Sequence, residues 1–111
     1  MEDAQGGATF YQLWEGYRQA IRSVGMSYNR AEVFLCLTAF RGDGDTAGRP
    51  TKTIAKDVGA SEATVRKHIA ALTRTEFEGP GGVRMTFITP LTAAAPGKCA
   101  TYRVNVPRES W

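Results

Sequence analysis

The stretch "TIAKDVGASEATVRKHIAAL", Thr53–Leu72, decides how this chain is read. It sets a Gly-x-Ser bend between two small amphipathic segments, and the outer side of the second is lined with Arg66, Lys67 and, two residues past the stretch, Arg74. Gly59 supplies the bend, and Ser61 stands where a hydroxyl caps the helix that follows. Glu62, the first residue of that helix, suits the positive end of the helix dipole. At about 100° per residue, Val65, Ile69 and Leu72 share one face, while Ala63, Lys67, Ala70 and Arg74 share the opposite one. Thr64 and Arg66 flank that outer ridge.

Such a helix is held by three aliphatic side chains and presents a slim ridge of alanines and cations. Small side chains allow close approach to a major groove, and Arg and Lys reach phosphates or guanine edges. The plainer reading is an ordinary solvated helix face. Upstream, a short helix over Thr51 to Asp57 follows Pro50 and buries Ile54 and Ala55, with Val58 just beyond its end. Before it, "RGDGDTAGRP" is rich in Gly, Asp and Pro and reads as an exposed loop. Its aspartates lack the later ligands of a calcium loop, so it is expected to be a connector.

Two further helices precede that loop. Val33, Phe34, Leu37 and Phe40 mark one from Arg30 to Phe40, capped by Ser27 or Asn29 and expected at the centre of the core. Phe10, Trp14, Tyr17, Ile21 and Val24 recur at spacings of four and three, the stripe of an amphipathic helix over about residues 8–24 that Gly25 can end. Downstream, "GGVRMTFITP" alternates at Val83, Met85 and Phe87, and "ATYRVNVP" alternates at Tyr102, Val104 and Val106. The loop between them, "LTAAAPGKC", carries Lys98. A two-stranded hairpin after a helix-turn-helix is a wing.

Composition bounds the remainder. A chain of 111 residues is in the range of one self-supporting domain. It has no apolar run of bilayer length, and "MEDAQGG" is acidic where a secretory signal is basic and then apolar, so a cytoplasmic location is expected. Cys36 and Cys99 could make a single disulfide, but Cys36 lies in the greasy run "VFLCLTAF", where a free buried thiol is the common case. Neither cysteine belongs to a CxxC pair, and no metal is expected. Residues 1–48 hold four basic and six acidic side chains, and residues 49–108 hold ten and four, so the net +3 conceals a basic second half. That asymmetry suggests an anionic partner or, more plainly, a solvated face.

On these residues, positions 51–106 resemble a winged helix-turn-helix domain. "SEATVRKHIAAL" is similar to the recognition-helix pattern of MarR-like and ArsR-like regulators and of phage or plasmid replication-initiator domains, and "MSYNRAEVFLCLTAF" resembles the core helix of the same group. The resemblance implies one domain over 1–111, mainly α with a small β hairpin, its helix-turn-helix over about 51–75 and its wing over about 83–106. It implies that Ser61, Ala63, Thr64 and Lys67 face bases or nearby phosphates, and that Lys98 and Arg103 of the wing meet a minor groove or the backbone. Arg66, Arg74 and Arg84 join them as candidate DNA contacts. The long carboxy-terminal helix of MarR-like dimers and the cysteine cluster of ArsR-like sensors have no counterpart here, so effector sensing is not expected.

His68, the sole histidine, has no triad, metal motif or phosphate loop around it, and its expected role is packing with a backbone or phosphate hydrogen bond. No enzyme activity and no cofactor are expected. The first helix is expected to offer Phe10, Trp14, Tyr17 and Ile21 to a second copy as a dimer seam, or else to pack inside one domain. The expected function is sequence-specific binding of double-stranded DNA by a homodimer, as a compact transcriptional repressor associated with the nucleoid. The alternatives are an origin- or partition-site binder of a plasmid or phage, and a protein-interaction module.

Overall fold

The computed structural model describes residues 15–39 and 45–107. Phe10, Trp14 and Phe40 lie outside these residues. Within them the chain forms helix α1 (residues 15–23), α2 (Tyr28–Thr38), β1 (Thr46–Ala47), α3 (Thr51–Val58), α4 (Glu62–Leu72), β2 (Glu76–Glu78), β3 (Arg84–Thr86), β4 (Ile88–Thr92) and β5 (Thr101–Val104). The result is an α+β fold with more β structure than the one expected hairpin.

The helix boundaries follow from local chemistry. Gly25, at φ 63°, closes α1, with its amide on the Arg22 carbonyl and the Met26 amide on Ile21. Of the two candidate caps for α2, Ser27 serves: its Oγ accepts the Arg30 amide at 3.3 Å. Pro50 lies just ahead of α3, where a missing N–H costs nothing, and left-handed Gly59 ends that helix with Ala60 bonded back to Ala55. Ser61 then caps α4 by accepting the Thr64 amide at 3.1 Å. At the other end the Thr73 and Thr75 hydroxyls donate to the carbonyls of Ala70 and Ala71, at 2.6 and 2.8 Å, so the last turn is closed by side chains.

The strands depart from expectation in three ways. The stretch 81–90 is two strands rather than one. β3 pairs antiparallel with β2, Phe77 opposite Met85, whereas β4 pairs with β5 in a separate three-stranded sheet of order β1-β5-β4. The break falls at Phe87 and Ile88, which are both fully buried; a single strand of period two would send one of them outward. Val83, expected to share a strand face with Met85 and Phe87, is 55% exposed in the β2–β3 turn. Finally, "RGDGDTAGRP" includes a strand, since Thr46 and Ala47 pair with Arg103 and Tyr102.

The bend at Phe87 is held by hydrogen bonds on both sides. Its amide donates to Thr75 at 3.1 Å, and its carbonyl accepts the Asn105 amide at 3.1 Å. The Asn105 side chain donates to the Thr86 carbonyl at 2.8 Å and to the Thr89 hydroxyl at 2.9 Å. Polar groups that a kinked strand would orphan are thereby satisfied.

Helices and sheets share one core. Phe34 of α2 stands edge-on to Tyr17 of α1 at 5.2 Å and to Phe87 at 5.4 Å, and Phe87 continues to Phe77 of β2 at 5.1 Å. Val65, Ile69 and Leu72 close this core from α4, with Ile54 from α3, as their helical spacing predicts. Tyr17, expected at a dimer seam, is only 3% exposed inside a single copy and has no surface left for a partner; Ile21 is half-buried against the same core. The first helix therefore packs within the domain at both positions.

Two consequences for stability can be measured. A Cβ at Gly48 would lie 2.9 Å from the Ala100 carbonyl oxygen and 3.1 Å from the Thr101 methyl, because β1 runs close beside β5. Gly48→Ala is expected to cost about 1–3 kcal/mol in a denaturant titration. Arg30 of α2 donates from Nε to His68 Nδ1 of α4 at 3.3 Å, and burial and then the Arg30 charge hold the imidazole below its usual 6.5. A lowered folded value means that the neutral ring's contribution is complete above 6.5 and is lost as pH falls through the folded value. Wild-type melting temperature should therefore fall as pH drops from 6.5 to the folded value and change no further through this group below it, and His68→Gln should flatten that step.

Candidate functional site

The exposed side of α4 carries Ala63, Thr64, Arg66 and Lys67, with Ser61 at its head and Arg74 just past its end. Ala70, half-buried, lies along the same ridge. The hydroxyl of Ser61 accepts the Thr64 amide and donates to Thr64 Oγ1 at 2.9 Å, so these two side chains are committed to the cap before any ligand arrives. Arg66 and Glu62 form an exposed i, i+4 pair at 3.7 Å, worth little in water.

The loop joining β4 and β5 approaches this helix from one side. Its tip is a Pro96-Gly97 turn in which the Ala95 amide donates to Lys98 at 3.1 Å and the Lys98 amide donates to Ala95 at 2.8 Å, with Gly97 at φ 76°. This closed turn fixes the root of the Lys98 side chain. Between the tip and the starts of α3 and α4 lies a cleft of about 440 Å³, bordered by Lys52, Glu62, Arg66 and Lys98 and floored by Ile69 and Tyr102. A second cleft, of about 490 Å³, continues along α4 past Ala70 and Thr73 against Leu91 and Ala93. Burial raises the Tyr102 phenol above 10.0, with the nearby Cys99 adding to the shift, so the ring faces this groove as a neutral hydroxyl.

The cations expected at one site divide into two groups. Arg66, Lys67 and Lys98 stand on α4 and the facing loop. Arg84 belongs to the β2–β3 hairpin instead, where its Nε bonds Glu76 at 3.2 Å across the ribbon. Arg103 neighbours Tyr102 on β5, and successive side chains of a strand point to opposite faces; since Tyr102 turns to α4, Arg103 turns away. Arg84 thus lies on a separate ribbon from the β4–β5 hairpin that carries Arg103 and, at its tip, Lys98.

Lys52, Glu62 and Tyr102 border the groove although the sequence pattern did not single them out for it. Their approach depends on how the β4–β5 loop folds back, for which no local spacing is a signal. Arg49 lines the cleft wall too, but its guanidinium donates to the Cys36 carbonyl and Sγ, each at 3.2 Å, and to Asp57 at 3.1 Å. It thereby ties α2 to α3. Cys36 and Cys99 are both free thiols and half-buried, and burial is the main force raising the Cys36 thiol. Among the described residues no group of three or more His, Cys, Asp or Glu side chains is placed to hold a metal ion, and no helix is long and apolar enough to cross a membrane.

Comparison of the chain with protein-family models, with curated proteins and with solved structures returned no match in any of the three.

Proposed function

We propose that this chain is a winged helix-turn-helix protein that binds double-stranded DNA sequence-specifically, with α4 in the major groove and the β4–β5 hairpin as its wing. One observation carries the reading. α4 is anchored on one side by Val65, Ile69 and Leu72, presents Ala63, Thr64, Arg66 and Lys67 on the other, and is accompanied on that side by a loop bearing Lys98. Strands β4 and β5, which follow α4 after the β2–β3 hairpin and pair antiparallel with β5 between β1 and β4, support the same reading. So does the concentration of basic charge in the second half of the chain. The small residues of the ridge let the backbone approach base edges, and the cations address phosphates or guanine. Occupying a site on DNA suits a compact transcriptional repressor.

Selection of bound sequences from a random duplex pool tests the reading. An enriched motif, bound with an affinity that falls steeply with salt, is the expected outcome; failure to retain any duplex at low salt would reject it. With the preferred duplex in hand, Lys67→Ala should cost about 1–3 kcal/mol on that site and little on random DNA. Equal losses on both would remove Lys67 from base reading.

A further inference from the structure

Three elements distant in sequence bring Lys52, Arg66 and Lys98 to one cleft of about 440 Å³, and the carboxylate of Glu62 shares it. Lys52 belongs to the first turn of α3, Glu62 and Arg66 to α4, and Lys98 to the closed turn of the β4–β5 loop. The fourth cation of the lining, Arg49, faces Asp57, so its charge is already met. The remaining charges in the cleft are three positive and one negative, and the negative one lies 3.7 Å from Arg66.

We propose that this cleft seats one backbone phosphate of a DNA duplex, with Lys52, Arg66 and Lys98 as its ligands and Glu62 as the group the phosphate displaces from Arg66. The proposal rests on the duplex-binding reading and deepens it. Two lysines supply compact point charges, and Arg66 supplies a planar fork matched to two phosphate oxygens. Glu62 holds that fork in a weak, exposed pair until a stronger anion arrives. It also repels any phosphate that reaches the cleft without displacing it, so random DNA held loosely is disfavoured relative to DNA seated in register. The phosphate fixes α4 and the wing on the same strand, and the register of the major-groove ridge follows from it.

The test pairs protein variants with duplexes that carry a single neutral methylphosphonate, moved along the preferred site. Wild type should lose about tenfold in affinity at one linkage in particular. Lys52→Ala and Lys98→Ala should each lose most of that sensitivity at the same linkage, while unchanged melting curves confirm that these exposed positions leave the fold intact. Glu62→Gln should raise affinity for random duplex by about fivefold and narrow the margin for the preferred one. Sensitivity that persists in both lysine variants, or that disappears at two different linkages, would overturn the shared cleft while leaving duplex binding standing. Absence of duplex binding by wild type would overturn both readings. Inorganic phosphate, compared with chloride at equal ionic strength, should not compete beyond the salt effect; specific competition would mean that the cleft takes free phosphate instead, and would overturn the backbone assignment.

Discussion

The contact of Phe87 with Phe34 on one side and Phe77 on the other is the constraint on which the fold depends. Phe87 occupies the only residue between β3 and β4, where the chain leaves one ribbon and enters the other. Its ring reaches the helical core through Phe34, its amide holds the end of α4 through Thr75, and its carbonyl holds the segment after β5 through Asn105. Packing and hydrogen bonding thus fix the same residue, which joins the β4–β5 sheet to the helices alongside the buried Ile88, Val104 and Val106. Because β5 carries Tyr102 and leads back to the loop with Lys98, the position of the groove beside α4 is set at a residue that touches neither cleft.

Arg49 plays a comparable part on the other side. By bonding Cys36 at the end of α2 and Asp57 at the end of α3, it fixes the angle at which α3 enters, and Lys52 follows that angle. The cation most engaged at the groove wall is thus the one that positions its neighbours. Net charge alone does not separate these roles, which is why the basic half of the chain contains side chains as different in situation as Arg49, Arg84 and Lys67.

The helical part of the fold was legible in the sequence because its signals are local. Val65, Ile69 and Leu72 lie within three turns, Ser61 and Gly59 act on their own neighbours, and Gly25 ends α1 by its own backbone geometry. The β part was legible only where period two runs unbroken, as from Tyr102 through Val104 to Val106. It failed at Phe87 and Ile88, where two buried residues in succession encode a bend rather than a strand, and at Thr46–Ala47, a two-residue strand specified by its partner β5. Phe77 stands alone between two glutamates, so its three-residue strand shows no apolar run. The site divided along the same line: the α4 ridge was visible from helical spacing, while the placement of Lys52, Arg84 and Arg103 depended on strand partners and a loop path that no short window contains.

The order β1-β5-β4 leaves two outer strands, and each is poorly suited to accept another strand. β1 is two residues long. β4 carries Pro90, which lacks an amide hydrogen, and its register slips between Pro90 and Thr92. Short edges, prolines and bulges are the means by which sheets avoid edge-to-edge growth. The consequence concerns how copies of this chain meet at high local concentration. Backbone pairing is discouraged at both rims of this sheet, so neighbours that meet there do so through side chains, which separate again more easily than added strands do.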